Sequence, residues 1–357
     1  MARLRVLVVE DSRTVRKHLV AAYGADPTIE VVGEAEDGRA ATELCLKHRP
    51  DVISMDMMLP VMSGLAATEY IMAHCPTPIL VVSSSVNRGE LYKTYDALAA
   101  GAVDVFDKAS LGEEDGVWER KLIGALKMVA KIRVITHPRG RLMTLDRPAR
   151  PPPPAASSSS PGPRLKRRRE IAAVGASTGG PAAIVEVLRG LPPSFTLPLL
   201  FVLHINEPFG SAFADWLDGQ TPRRVAYAKD GESIAGLAGR VVMAPAGRHL
   251  IVRDRKLRLI DTPERHSCRP SVDVLFESVA HEFGGGAAAA LLTGMGRDGA
   301  SGLLEIQKAG GATIAQDEAT SIIYGMPREA VLLGAADRIL PLGEIGAELA
   351  ALCETGA

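Results

Sequence analysis

Cysteine is scarce in this chain of 357 residues, which holds only four. They are Cys45, Cys75, Cys268 and Cys353, and no two of them stand at C-x-x-C spacing. Cysteines scattered in this way indicate neither a zinc site nor a disulfide framework. They fit a protein that works in a reducing cytoplasm.

Long apolar runs and a surplus of charge are missing as well. The apolar run near the amino terminus, 6–9, is short and is followed by acids, so neither a signal peptide nor a transmembrane helix is predicted. The formal net charge is -1, which gives no electrostatic footprint for nucleic acid. We expect the basic run 166–169 to be the solvated end of a linker. The sequence therefore predicts a cytoplasmic protein with no membrane insertion and no nucleic-acid partner.

Aromatic residues make up 4% of the chain and hydrophobic residues 46%, so the cores are expected to be packed with Ala, Val, Leu and Ile. Residues 147–164 could join no core, because they hold four consecutive prolines, a serine run and Pro-Gly-Pro. Two α/β domains are predicted on either side of this tether. The predicted limits are a first domain at 1–135, a linker at 136–166 and a second domain at 167–357. The stretch 127–135 is expected to finish the last helix of the first domain.

The most informative stretch, 175–180, reads GASTGG and lies between the apolar run 171–174 and Pro181. A strand that ends in glycines and leads to proline at a helix start predicts a sharp strand-to-helix turn. Ser177 at this bend would expose its hydroxyl beside backbone N–H groups, as a nucleophile next to an oxyanion site does. Such turns also cradle phosphate, so a nucleotide site stays open. The stretch matches neither G-x-G-x-x-G nor the P-loop pattern.

Two further apolar runs lead to polar side chains at the same predicted sheet edge. The run 197–203 is followed by His204, and the run 287–292 leads to Asp298. Sites in open α/β sheets are built at the carboxyl ends of the strands, so a base and a carboxylate are expected near Ser177. Taken singly, such residues are more often surface or turn residues. The order serine, histidine, aspartate differs from that of α/β-hydrolases and argues against that fold.

The first third of the chain places acids at another sheet edge. Two short buried strands are predicted at 5–9 and 51–55, and they lead directly to Glu10, Asp11 and Asp56. Clustered carboxylates repel one another unless a hard cation joins them. Mg²⁺, which prefers oxygen ligands, is the natural choice.

Two more predicted strands, 79–82 and 102–106, lead to Ser83 and Lys108 at this edge. A hydroxyl and an ammonium are suitable partners for a phosphoryl group. Each residue alone is weak evidence, since lysines after strands are commonly solvated. The ordered set is more specific and indicates a phosphoryl-accepting site.

Several motifs of the second half are specific in combination. They are the stretches 174–181, 268–273, 292–299 and 314–320, with Gly-Met-Pro following at 325–327. Together they resemble the catalytic domain of the chemotaxis methylesterase CheB. The resemblance implies a triad with two supporting residues: Ser177 as nucleophile, His204 as general base, Asp298 as its orienting carboxylate, Thr178 beside the imidazole, and the Met295 N–H near the oxyanion. The family usually has Gln-His-Met at the histidine, where this chain has Leu203-His204-Ile205.

The acids, the hydroxyl and the ammonium of the first third resemble the receiver domain of response regulators. The resemblance implies that Asp56 accepts the phosphoryl group and that Ser83 and Lys108 act as switch residues. The implied Mg²⁺ ligands are Glu10, Asp11, Asp56 and the backbone carbonyl of Met58. Three residues depart from the family pattern: Ala109 in place of proline, Val105 in place of an aromatic residue, and Met58 in place of an acid.

From these resemblances we expect an α/β protein. A flavodoxin-like receiver domain with a five-stranded parallel sheet would be joined by the Pro/Ser-rich linker to a doubly wound methylesterase domain. The implied function is a phosphorylation-activated serine esterase that hydrolyses glutamate γ-methyl esters on methyl-accepting chemoreceptors and deamidates receptor glutamines. The implied phosphodonor is a chemotaxis histidine kinase, and the esterase would need no cofactor. A phosphorylation-dependent binding module of a chemosensory array, with a slow or unused esterase site, remains as the alternative.

Overall fold

The computed structural model describes residues 3–84, 87–108, 116–132, 134, 168–205, 209–210 and 212–354. The expected linker 136–166 and Ala109 lie outside these residues. The described residues form two parallel sheets, each with helices on both faces. None of the helices in these ranges is long and apolar enough to cross a membrane.

The first sheet has five parallel strands in the order β2-β1-β3-β4-β5, as expected for a flavodoxin-like receiver domain. The strands are β1 (Leu4–Val9), β2 (Ile29–Ala35), β3 (Val52–Met55), β4 (Ile79–Ser83) and β5 (Asp104–Asp107). The helices are α1 (Arg13–Gly24), α2 (Gly38–His48), α3 (Gly64–His74), α4 (Arg88–Ala99) and α5 (Val117–Val129).

Register brings the acids of this sheet together. Strand β1 pairs in parallel with β3, and Val9 stands opposite Met55. The residues that follow, Glu10 and Asp56, therefore leave the sheet side by side. Strands β1 and β3 are almost entirely buried, which agrees with the apolar runs that predicted them.

Helix α5 ends at Val129, earlier than the predicted end at Ile135. The N–H groups of Lys131 and Ile132 bond to carbonyls three residues back, which tightens and closes the last turn. Ile132 is still buried against the core of the first domain. The apolar pattern that suggested a longer helix is therefore satisfied by packing after the helix has stopped.

The second sheet has seven parallel strands in the order β14-β13-β12-β6-β7-β9-β8. The strands are β6 (Ile171–Ala176), β7 (Leu199–Leu203), β8 (Val225–Tyr227), β9 (Val241–Met243), β12 (Ala287–Leu291), β13 (Ala312–Gln316) and β14 (Arg338–Leu340). An antiparallel hairpin is formed by β10 (His249–Arg253) and β11 (Lys256–Ile260). The helices are α6 (Gly180–Gly190), α7 (Phe213–Gln220), α8 (Val272–Phe283), α9 (Ala300–Lys308), α10 (Met326–Leu332) and α11 (Leu342–Glu354).

This sheet is doubly wound, as predicted. Helices α6, α7 and α11 share one core with alternate residues of β6, such as Ala172 and Val174. Helices α8, α9 and α10 share the other core with the residues between them, such as Ile171 and Ala173. The alternation of side chains along a strand sends its residues to the two faces in turn.

The end of the basic run differs from expectation. Arg169 was expected to be solvated, but its guanidinium donates to the carbonyls of Gly285 and Gly310. Glu170 N–H also donates to the Gly286 carbonyl, 2.7 Å away. These bonds connect the residues before β6 to the segments before β12 and β13, so Arg169 belongs to the second domain's structure.

Helix α4 of the first domain packs against α6 and α7 of the second. The Tyr95 hydroxyl donates to the Phe209 carbonyl across 2.5 Å, and the Tyr95 ring lies edge-on to Phe213 with centroids 5.3 Å apart. Trp216 Nε1–H donates to Asp96 Oδ1 at 2.8 Å. Tyr95 is fully buried, so this aromatic side chain of the first domain is part of the second domain's hydrophobic core.

Candidate active site

Ser177 lies between strand β6 and helix α6, on the turn that the sequence predicted. Its N–H donates to the Thr293 carbonyl at 3.0 Å, and its own carbonyl accepts from Gly180 N–H at 2.7 Å. Gly179 has φ 77°, a conformation that glycine adopts without steric cost. These bonds fix the backbone of the turn and leave the hydroxyl half-exposed at the carboxyl edge of the sheet.

The loop after β12 runs directly beneath this turn. A Cβ atom added to Gly294 would lie 2.7 Å from Ser177 Cβ and 2.3 Å from Met326 Sδ, so only glycine fits. The following residue, Met295, is the predicted oxyanion donor and is 45% exposed. Its backbone is held near Ser177 by the Gly294 N–H bond to the Ile323 carbonyl at 3.0 Å.

His204 follows β7, which lies next to β6 in the sheet. Its N–H donates to the Ala176 carbonyl at 3.0 Å, so the backbones of the serine and histidine segments are adjacent. The imidazole Nε2 lies 2.9 Å from Asp298 Oδ2, as a donor to the carboxylate. This bond places the proton on Nε2 and leaves Nδ1 to accept another.

Asp298 is buried and is held by the amino terminus of α8. Its carboxylate accepts from the Ser271 hydroxyl at 2.7 Å and from the N–H groups of Val272 and Asp273 at 2.8 and 3.0 Å. Burial alone would raise the pKa of Asp298, but the His204 bond and these donors keep it below its ordinary value. The carboxylate therefore stays ionised and orients the imidazole.

The imidazole of His204 retains its proton more strongly than a free histidine. Burial alone would lower its pKa, but the bond to Asp298 and the contact with Cys268 raise the pKa to about 9. In this resting arrangement the imidazole is protonated at neutral pH. An imidazole in this state must lose that proton before it can act as a general base.

Cys268 occupies the other side of the imidazole. Its Sγ lies 3.7 Å from His204 Nδ1 and 3.4 Å from the His266 carbonyl oxygen. Within the described part of the chain, no hydrogen bond joins the Ser177 hydroxyl to His204. The structure thus pairs His204 directly with Asp298 and Cys268, and brings Ser177 into the same pocket without a direct bond.

That pocket lies between the two domains and has a volume of about 160 Å³. Thr178, the residue expected beside the imidazole, is part of its wall. The second domain contributes Ser177, Thr178, Gly179, Pro181, His204 and Ile205. The first domain contributes Leu98, Val103, Asp104 and Val105. A large substrate cannot reach Ser177 by this route while the first domain remains in place.

Asp104 is the acid that the first domain brings to this pocket. Burial raises the pKa of its carboxyl to about 6, partly offset by a hydrogen bond from Val105 N–H at 2.8 Å. An ionised carboxylate is costly to bury without a partner. The contact between the domains is therefore most favourable when Asp104 is protonated.

The predicted phosphoryl site lies at the carboxyl edge of the first sheet. Carboxylate oxygens of Glu10, Asp11 and Asp56 all lie within 4.8 Å of one another. Lys108 Nζ lies 2.6 Å from Glu10 Oε2 and 2.9 Å from Asp56 Oδ2. Burial raises the pKa of Glu10, while Lys108 opposes that change. Clustered, partly buried oxygens of this kind fit a hard divalent cation such as Mg²⁺.

The remaining predicted receiver residues surround this cluster. Ser83 is buried at the end of β4, next to the β5 strand that leads to Lys108. Met58 is 42% exposed, and its Sδ lies 3.4 Å from Lys93 Nζ of α4. Val105, where receivers commonly have an aromatic residue, lines the pocket between the domains.

Sequence reasoning missed Ser271 and the role of Cys268. Ser271 lies within the motif 268–273, where Ser-x-Asp before an apolar run could have signalled a helix cap. Nothing in the sequence marked Cys268 as a neighbour of His204, because the two residues are 64 positions apart. The loop that carries Cys268 is placed by tertiary packing alone.

Comparison with known proteins matches each half of the chain to the family that its sequence motifs resemble. The family model "CheB methylesterase" matches residues 172–349, and "Response regulator receiver domain" matches residues 6–114. A protein-glutamate methylesterase/protein-glutamine glutaminase of Anaeromyxobacter dehalogenans is 42% identical over 342 residues, which are 96% of this chain and 95% of that protein. One of Pseudomonas aeruginosa is 42% identical over 350 residues, which are 97% and 96% of the two chains.

Proposed function

Because the chain belongs to the CheB methylesterase family, we propose that it is a protein-glutamate methylesterase and protein-glutamine glutaminase controlled by phosphorylation of its receiver domain. The observation that carries this proposal is the 2.9 Å contact of His204 with the buried Asp298, because His204 and Ser177 line the same pocket. A nucleophile, a base and an orienting carboxylate at one sheet edge are the parts of acyl-transfer catalysis.

Ser177 is the nucleophile of this proposal. Its hydroxyl oxygen attacks the γ-carbonyl carbon of a methylated glutamate, and His204 Nδ1 takes the hydroxyl proton. The C–O bond to the methoxy group breaks, and methanol leaves with that proton. Water then hydrolyses the acyl-serine, with His204 again as base. Glutamine follows the same route and releases ammonia.

Neighbouring residues of the turn stabilise the reacting oxygen. Backbone N–H groups at the Ser177 turn and at Met295 are the proposed donors to the oxyanion, since Gly294 lets these segments approach closely. Asp298 holds the imidazole in orientation and compensates the positive charge that forms on it. The substrates of this proposal are the cytoplasmic methylation helices of methyl-accepting chemoreceptors.

Asp56 is the proposed phosphoacceptor of domain 1–135, which the linker 136–166 joins to catalytic domain 167–357. Mg²⁺, held by Glu10, Asp11, Asp56 and the Met58 carbonyl, would offset charge between carboxylate and phosphoryl oxygens. Lys108 is already paired with Asp56, so its ammonium can bind the phosphoryl oxygens once they are attached there. The Ser83 hydroxyl can donate a hydrogen bond to the same oxygens. A chemotaxis histidine kinase is the proposed donor.

The position of α4 supports control by relief of inhibition. Asp104 and Val105 line the pocket of Ser177, and Tyr95 anchors the same domain in the second core. Phosphorylation at Asp56 would weaken this contact and admit the receptor helix. The resting chain is accordingly the covered form of the enzyme.

The test is methanol release from methylated receptor membranes by the full-length chain, with glutamine conversion followed in receptor peptides by mass spectrometry. Ser177→Ala should lower both rates on the order of 10⁶-fold, and Asp298→Asn on the order of 10⁴-fold. Asp56→Asn should retain basal activity but lose stimulation by a small-molecule phosphodonor. Undiminished hydrolysis by Ser177→Ala would exclude the serine mechanism.

A further inference from the structure

Cys268 lies at the one imidazole nitrogen that Asp298 does not occupy. Its Sγ is 3.7 Å from His204 Nδ1, while Nε2 bonds to Asp298 at 2.9 Å. Ligand atoms of these three residues all lie within 4.8 Å of one another. The structure therefore places a thiol next to the imidazole and the carboxylate of the predicted serine site.

A nucleophile within reach of a base that a third group orients is the arrangement that activates nucleophiles. His204 carries a proton at neutral pH, so it places a positive charge 3.7 Å from the sulfur, and a cation beside a thiol favours the thiolate, which is the reactive form of cysteine. We propose that Cys268 is a peroxide-sensitive modification site, and that its oxidation to sulfenic acid switches off the esterase. The effect on activity rests on the proposed function, whereas the modification itself does not.

Access to Cys268 does not require the domains to separate. Its side chain is partly exposed, and it is not among the residues that line the covered pocket. It stands on the segment 261–269, most of which is exposed. A small oxidant such as hydrogen peroxide can therefore reach Sγ in the resting chain.

The other cysteines whose side chains are described lie in a different environment. Cys45 and Cys75 are buried between α2 and α3, with their Sγ atoms 3.3 Å apart. Burial raises the pKa of the Cys45 thiol to about 12. Cys75 has Arg49 Nη1 3.2 Å from its Sγ, but this cysteine is buried, so peroxide reaches it less readily than it reaches Cys268. These two thiols serve as internal controls for reactivity.

The proposed step balances without a further reactant. The Cys268 thiolate attacks one oxygen of hydrogen peroxide, the S–O bond forms and the O–O bond breaks. The leaving hydroxide takes up one proton, which balances the proton that the thiol lost, and becomes water. Sulfur is oxidised by two electrons, and the peroxide is reduced by the same two.

The added oxygen would stand next to His204 Nδ1, since Sγ is already only 3.7 Å from this nitrogen. A sulfenic acid there can hydrogen-bond to Nδ1 and occupy the nitrogen that should accept the Ser177 proton. Hydrolysis would then stop at its first proton transfer. A thiol reductant reverses sulfenic acid formation, so the loss should be reversible.

The experiment uses the reduced full-length chain treated with hydrogen peroxide, with and without dimedone as a trap for sulfenic acid. Peptide mass spectrometry should find the dimedone adduct on Cys268 at least tenfold faster than on Cys45 or Cys75. His204→Ala should slow labelling of Cys268, because the sulfur loses the neighbouring positive charge that favours its thiolate. Methanol release should fall in step with oxidation and return with dithiothreitol.

Cys268→Ser and Cys268→Ala are compared with themselves before and after peroxide, and each should keep its own starting rate. If dithiothreitol does not restore methanol release, or if peroxide lowers it equally in these variants, methionine oxidation would explain the inactivation. The proposed regulation by Cys268 would then be wrong. Labelling of Cys268 no faster than of Cys45 and Cys75 would overturn the site. A reduced wild type that releases no methanol would overturn the proposed function, while the labelling result still decides the modification site.

Discussion

The Ser271 hydroxyl donates to Asp298 Oδ1 across 2.7 Å, and so joins the start of helix α8 to the carboxylate that holds His204. Ser271 Oγ also accepts a hydrogen bond from Val274 N–H at 3.4 Å, and so caps the start of helix α8. Ser271→Ala removes both bonds. We expect methanol release to fall by up to about 100-fold, because the Asp298–His204 pair loses part of its fixed orientation. Loss of the cap should also lower protein stability by about 1 kcal/mol.

Ser271→Thr is the matched control, since it keeps a hydroxyl at the same position. It should retain most of the activity that the alanine variant loses. Equal activity of wild type, alanine and threonine forms would show that the backbone N–H groups of Val272 and Asp273 alone hold Asp298.

The pH profile of basal activity should reflect the raised pKa of His204. Since this pKa is about 9 in the resting chain, the rate should rise with pH up to about 9 as the imidazole loses its proton. Cys268→Ala removes one of the contacts that raise the pKa, so the rising limb should move to lower pH. A profile that is flat between pH 6 and pH 9 would contradict this assignment of the base.

The raised pKa of His204 should make the stability of the folded chain depend on pH. His204 has a higher pKa in the folded chain than the ordinary value of 6.5, so protonation favours the folded state. This contribution is full below pH 6.5 and disappears as pH rises through about 9. Denaturant midpoints of wild type and His204→Gln should therefore differ more at pH 6 than at pH 10, and a constant difference would exclude the linkage.

Sequence reasoning placed the three residues of the proposed triad at one sheet edge, because each of them comes after a strand whose apolar run is continuous. In a parallel sheet the carboxyl ends of the strands meet at one edge, so the sequence alone predicts that Ser177, His204 and Asp298 lie together. It could not place Cys268, since contacts of an irregular segment depend on tertiary packing. Tyr95 shows another limit: its helical pattern indicates burial but does not say whether its own domain or the other one covers it.

Helix α4 should restrain the resting enzyme through Asp96. Trp216 Nε1–H donates to its carboxylate at 2.8 Å, and this hydrogen bond links a side chain of α7 to a side chain of α4. Asp96→Ala leaves the indole N–H without this acceptor and should raise basal methanol release several-fold. Deletion of residues 1–163 should raise it further. Lys47→Ala, an exposed change on α2 away from the contact, should leave basal release unchanged. A slower Asp96→Ala enzyme would show that the contact activates.

Asp104 should make the contact between the domains sensitive to pH. Its pKa is raised to about 6 where the receiver lines the pocket, so the closed form is favoured by protonation. The stabilisation of the closed form by protonated Asp104 is full below the ordinary carboxyl pKa of 3.8 and is lost as pH rises through about 6. Asp104→Asn stays neutral and should keep the domains closed at higher pH. The ratio of wild-type to Asp104→Asn basal activity should therefore rise between pH 5 and pH 7, and a constant ratio would remove Asp104 from the contact's pH dependence.

Met58, two residues past the proposed phosphoacceptor Asp56, should lengthen the life of the phosphorylated state. Its thioether neither donates to nor orients the water that attacks an acyl phosphate, whereas a carboxylate can. Met58→Glu should therefore lose ³²P faster than wild type, and Met58→Leu should decay as slowly as wild type. Lys93 Nζ lies 3.4 Å from Met58 Sδ and could pair with the new carboxylate and hold it away from the water. The double variant Met58→Glu with Lys93→Ala removes this pairing. Decay in the double variant no faster than in wild type would show that water access is controlled elsewhere.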